Sequence, residues 1–156
     1  MDKSLWNIPL ILKRMLEITL VLGTIFIIAL PIMTAMMKDS IINSYFTGAS
    51  QNKWLSFALL ELCCVCCWFI LLFLQKLLKT VIESSPFVYK NVLYLKYTSY
   101  VCAAAFVLLV VKSLVDFTVL TPVVAVLAIL ASLFCQTLAA VFDKAIRLKD
   151  ENDLTI

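Results

Sequence analysis

The chain has 156 residues, 63% of them hydrophobic and 15% charged, with two glycines, no histidine and a formal net charge of +3. Its mean hydropathy of +1.04 lies far outside the range of water-soluble domains. Without histidine, and with only Gly23 and Gly48 to shape a loop, the composition excludes a histidine acid–base site and a glycine-rich phosphate cradle, so no enzyme and no cofactor is expected.

A hydrocarbon core of roughly 30 Å needs about 20 helical residues, and four apolar stretches come close to or exceed that length, at about 15–37, 54–74, 95–111 and 122–142. Backbone polar groups in lipid must pair internally, and none of the stretches alternates polar with apolar residues. The sequence therefore predicts an all-α membrane protein: four transmembrane helices in a bundle, one domain over 1–156, with a tail at 143–156.

Residues 1–14 carry Trp6 between Lys3 and the pair Lys13 and Arg14, as an interfacial segment does, and Pro9 argues against a continuous helix through it. The apolar run that follows is longer than the usual secretory core of about 7 to 15 residues, so it reads as an uncleaved first span. Glu17 at its start is placed to pair with Arg14 or Lys13. Pro31 is expected to displace the Ile27 carbonyl and kink the outer third of this helix.

Residues 38–53 form a polar outer connection, and Trp54 anchors the second span at the interface. Cys63, Cys64, Cys66 and Cys67 follow within that span, with Cys102 and Cys135 in later ones, which argues against a secreted disulfide framework. Cys63 shares a helix face with Cys66 and Cys67, a spacing able to hold a soft metal. A thiolate in hydrocarbon is costly, however, and the six are read as small polarizable packing residues with no metal.

Between the second and third spans, Ser84 or Ser85 caps a helix opening at Pro86. Phe87, Val88, Asn91, Val92 and Leu95 then recur at near-helical spacing, predicting a short amphipathic cytoplasmic helix that runs into the third span. Tyr94, Tyr97 and Tyr100 fall every third residue and read as an interface belt. Thr121 before Pro122 reads as the N-cap of the fourth helix. Small residues, Ala103 to Ala105 and Ala125, Ala128 and Ser132, suit close helix packing.

Lys and Arg distribution sets orientation. Lys3, Lys13, Arg14, Lys76, Lys79, Lys90, Lys96, Lys144, Arg147 and Lys149 flank one side, against Lys38, Lys53 and Lys112 on the other. Both termini are expected in the cytoplasm, and the positive charge reads as a topology signal with no direct nucleic-acid binding.

Glu61 lies about seven residues, or roughly 10 Å, inside the second span. Charge at such depth is costly and marks a functional candidate, so Glu61, Lys112 and Gln136 are grouped as a possible intramembrane polar site. The plainer reading of Glu61 is a paired or protonated structural carboxylate. Gln136 and Thr137 also read as interhelical hydrogen-bond formers.

Two segments carry a resemblance. Ser84-Ser85-Pro86-Phe87 with Asn91 and Leu95, and the run from Val141-Phe142-Asp143-Lys144 to Leu148-Lys149-Asp150-Glu151-Asn152-Asp153-Leu154-Thr155-Ile156, resemble the bacterial four-helix membrane family known as domain of unknown function twenty-nine seventy-five. Serines stand where that family often has glycine before Pro-Phe, and Ala145 and Ile146 stand where a further glycine is common, a departure that bears on tail flexibility. The resemblance implies a bacterial cytoplasmic-membrane protein with no established enzyme activity. Its genes often lie beside a small helix-turn-helix regulator, which implies a partner in transcription control.

Two functions follow as expectations. In the first, Pro86, Phe87, Asn91, Asp150, Glu151, Asp153 and Leu154 bind such a regulator at the cytoplasmic face, acidic and apolar side chains meeting a basic protein. In the second, the protein handles an ion or small molecule around Glu61, as an immunity or efflux component does. The lipid bilayer is a partner in either case, and a homo-oligomer or a larger membrane complex stays open.

Overall fold

In hydrocarbon the only partner available to a helix backbone is itself, and each apolar run forms one uninterrupted helix in the computed structural model. The structure describes residues 3–36, 53–83, 88–115 and 117–153. They comprise α1 (Lys3–Met36), α2 (Lys53–Glu83), α3 (Tyr89–Val115) and α4 (Leu120–Asp153), with no strand among the described residues. At 34, 31, 27 and 34 residues, all four are long and apolar enough to cross a membrane. The chain is a multi-pass membrane protein.

Helix ends depart from the sequence expectation in three places. α1 starts at Lys3 and passes through Pro9 as one element, with Pro31 inside the same helix. Pro9 removes only the amide that would bond the Leu5 carbonyl, close to the helix start, where water can replace it. α4 starts at Leu120, with the Thr121 amide donating to the Thr118 carbonyl at 2.9 Å, so Thr121 is not the N-cap. Pro122 still lies in the first turn, where an amide hydrogen is not needed. The amphipathic stretch from Tyr89 onward is the opening of α3 itself, with no break before the span, and Pro86 and Phe87 lie outside the described residues.

Packing follows chain order, α1 on α2, α2 on α3 and α3 on α4; α3 and α4 run antiparallel, with Lys112 beside Thr121 at one end and Leu95 against Ala139 at the other. The tightest seam joins α3 to α4. On α3 the buried residues Asn91, Leu95, Thr98, Cys102, Ala105 and Lys112 recur every three, four or seven positions. On α4 the matching stripe is Thr121, Ala125, Ser132 and Ala139. These side chains are mostly small, so the backbones approach closely, as helices in lipid require when no hydrophobic force drives them together.

Two anchors fix the seam. At its centre the Ser132 hydroxyl donates to the Ser99 carbonyl at 2.9 Å, and the two hydroxyl oxygens stand 3.0 Å apart. Toward the chain-end side, Val92, Leu95 and Ala139 form a buried cluster covered by Leu77, Leu138, Phe142 and Ile146.

α2 reaches α3 through Phe73, whose ring stacks on Tyr97 with centroids 5.8 Å apart. α1 reaches α2 through Trp68, whose indole N–H donates to the Thr24 hydroxyl at 3.0 Å while that hydroxyl donates to the Leu20 carbonyl. Among its described side chains α1 buries only the hydrophobic residues Leu16, Leu20 and Leu30, and residues such as Ile18, Leu22, Ile25 and Ile28 are exposed. Such a surface is unsustainable in water and ordinary in lipid.

Candidate functional site

Among the crevices lined by described residues, none brings Glu61, Lys112 and Gln136 together. Lys112, 6% exposed, lies in the last turns of α3, where a cation is favoured by the helix dipole. Together with Leu60, Cys63, Thr118 and Thr121 it lines a crevice of about 240 Å³ between the start of α2, the end of α3 and the start of α4. Glu61, half-buried on α2, lines neither this crevice nor the one holding Gln136.

Gln136 sits at the other end of the seam, fifteen residues along α4 from Thr121, a rise of about 22 Å. It is exposed, and it makes no hydrogen bond among the described residues. The expectation that Gln136 and Thr137 bond across helices fails on geometry: the Thr137 hydroxyl donates to the Leu133 carbonyl of its own helix at 2.9 Å. Ser132 and Ala139 occupy the seam on either side, leaving Gln136 on its flank.

There Gln136 joins Lys96 and Tyr100 of α3 and Asp143 of α4 around a crevice of about 300 Å³ floored by Ala139 and Ala140. Asp143 already pairs with Arg147 at 3.2 Å on the exposed side of α4. Lys96 and Tyr100 make no polar contact among the described residues. Sequence reasoning missed this grouping, because Lys96 and Asp143 read separately as flanking charges.

A third, apolar groove of about 250 Å³ runs between α1 and α2, lined by Gly23, Phe26, Cys63, Cys64, Cys67 and Trp68. The cysteines spread over this groove, the Lys112 crevice and the α3 core, and among the described residues no three metal-ligating side chains gather. Within α1, where hydropathy begins the first span, Glu17 lies 3.7 Å from Arg14, as the spacing predicts.

Of the residues expected to meet a regulator, Asn91 is buried on α3 at 1% exposure, so it presents no surface to a partner. Asp150 and Glu151 are exposed, Asp153 closes α4, and Leu154 lies outside the described residues. α4 thus continues as helix eleven residues past Phe142, where a hydropathy reading ends the span.

A family model described as a protein of unknown function (DUF2975) matches residues 40–156. The chain belongs to the DUF2975 family. The matched stretch contains α2, α3 and α4 and begins after α1, so it includes both crevices along the α3–α4 seam of this DUF2975 protein. No curated protein and no solved structure matches the chain.

Proposed function

We propose that this DUF2975 protein is a non-enzymatic membrane partner of a small helix-turn-helix transcription regulator, holding it at the cytoplasmic face through the projecting end of α4. One observation carries the reading: α4 is 34 residues long, about 51 Å at 1.5 Å per residue, against roughly 30 Å of hydrocarbon. Past the packed cluster the surplus continues as helix to Asp153. Phe142 and Ile146 pack on the buried cluster and set its direction, while Leu148 is 61% exposed beside Asp150 and Glu151. A preformed helix with an apolar contact and acidic neighbours can bind a basic partner without first being ordered. Both termini on the cytoplasmic side, in a bacterial inner membrane, belong to the same proposal and rest on the lysine and arginine bias.

The alternative, ion or small-molecule handling around Glu61, has less support, because Glu61 lines neither polar crevice. The test is co-purification from native membranes of the full chain and of a chain ending at Leu148. The reading expects a DNA-binding protein with the full chain, its loss on truncation, and altered expression from the gene beside it. It fails if no DNA-binding protein accompanies the full chain, or if truncation changes neither association nor expression.

A further inference from the structure

We infer that the crevice between α3 and α4 at Lys96, Tyr100, Gln136 and Asp143 is a binding site for the headgroup of a phospholipid bearing a primary amine, of the phosphatidylethanolamine type. The inference stands apart from the proposed regulator binding.

Gln136 is the starting point. An exposed primary amide inside a membrane span has no water to bond, and here it has no protein partner among the described residues. Lys96 and Tyr100 likewise have no protein partner among the described residues, and they line the same crevice. Three polar side chains without partners, converging on one space at the edge of the hydrocarbon, call for a ligand that supplies acceptors and reaches them from the membrane.

The order of the groups along the membrane normal identifies the ligand. Ser99 and Ser132 lie at one level, fixed by their hydrogen bonds. Counting from them, Lys96 and Gln136 fall about 4 to 6 Å toward the water, Tyr100 sits slightly on the deeper side, and Asp143 is about 16 Å out. Side chains lean toward the N-terminus of their own helix. In this antiparallel pair Lys96 therefore leans outward and Asp143 leans inward, so that cation and carboxylate approach from opposite directions. They do not form an ion pair, and Asp143 pairs instead with Arg147.

A phosphoethanolamine headgroup has the complementary order: ammonium outermost, then phosphate, then glycerol esters. Its amine meets Asp143, its phosphate meets Lys96, and the ester oxygens accept from Gln136 and Tyr100. Ala139 and Ala140 leave room for the glycerol and the first acyl carbons. A choline headgroup offers no N–H to the carboxylate, and a glycerol headgroup offers no cation, so the site discriminates among common phospholipids.

The experiment is native mass spectrometry of the full chain released from mixed micelles containing phosphatidylethanolamine, phosphatidylcholine and phosphatidylglycerol at equal mole fraction. The wild type should retain phosphatidylethanolamine in preference to both others. Lys96→Met and Gln136→Leu should each lower that retention; for Lys96→Met the loss is about tenfold, the effect of one hydrogen bond to a charged group. Asp143→Asn should erase the preference over phosphatidylcholine. Arg147→Gln, which breaks the same ion pair but keeps the carboxylate, should preserve it.

All four positions lie on the surface or half-buried, and circular dichroism checks that each variant folds; the wild-type comparison requires no variant. Equal retention of the three lipids by the wild type would overturn the inference. So would unchanged retention in Lys96→Met and Gln136→Leu, or a dimer lost in Gln136→Leu with lipid retention intact, which would assign the crevice to a second copy of the chain.

Discussion

Ser99 and Ser132 close a reciprocal pair across α3 and α4. The Ser132 hydrogen goes to the Ser99 carbonyl at 2.9 Å, so the short 3.0 Å contact between the hydroxyls is donated by Ser99. Both residues are at most 2% exposed, and neither bond meets competition from water. A double-mutant cycle with Ser99→Ala and Ser132→Ala should give a coupling of about 0.5 to 1.7 kcal/mol, the range known for hydrogen bonds between membrane helices. Reversible unfolding in mixed micelles measures it, and additive losses would show that the pair contributes packing alone.

Ser56 provides the contrast. Its hydroxyl is buried at 1% exposure and has no hydrogen-bond partner among the described residues. Removing a buried, unsatisfied hydroxyl relieves a desolvation penalty, so Ser56→Ala should leave stability unchanged or raise it by up to about 1 kcal/mol. The same micelle assay reads the sign. A loss comparable to that of Ser132→Ala would mean that the Ser56 hydroxyl is satisfied in the membrane.

At the α1–α2 contact, Thr24 takes the Trp68 N–H at 3.0 Å, and a methyl group built on Gly23 would stand 3.6 Å from Trp68 Cδ1, an ordinary van der Waals separation. Thr24→Val should lose about 1 kcal/mol, because the indole N–H is left without an acceptor, whereas Thr24→Ser should behave as wild type. Gly23→Ala should be tolerated and Gly23→Leu should displace Trp68. Tryptophan fluorescence reports the displacement, and a blue shift in Gly23→Ala equal to that in Gly23→Leu would contradict this account.

The four helices were legible because each apolar run is long enough to cross lipid, and the small residues Ala125 and Ser132 announced the tight seam. Hydropathy marks the edge of the hydrocarbon, however, and not the end of a helix. Beyond Phe142 the chain turns polar while Lys144, Ala145, Arg147 and Leu148 remain good helix formers, so α4 continues to Asp153. The position of Gln136 was less legible. Ala125 and Ser132 marked the seam side of α4, but apolar residues that face lipid and apolar residues that face a neighbouring helix look alike in sequence, so the flank on which Gln136 meets Lys96 and Tyr100 carried no signal of its own.

The projection of α4 depends on Ile146 more than on its visible ion pair. Ile146 covers the cluster of Val92, Leu95 and Ala139, whereas Arg147, paired with Asp143 at 3.2 Å, is 75% exposed in its side chain. Exposed pairs at four-residue spacing contribute little, and water screens them. Truncating a partly buried isoleucine removes apolar contact that nothing else on this turn replaces. Ile146→Ala should therefore speed amide exchange over residues 147–153 while Arg147→Ala leaves it close to wild type. Hydrogen exchange read by mass spectrometry separates the two, and faster exchange in Arg147→Ala than in Ile146→Ala would mean that charge pairing, and not packing on the seam, holds the end of α4 in place.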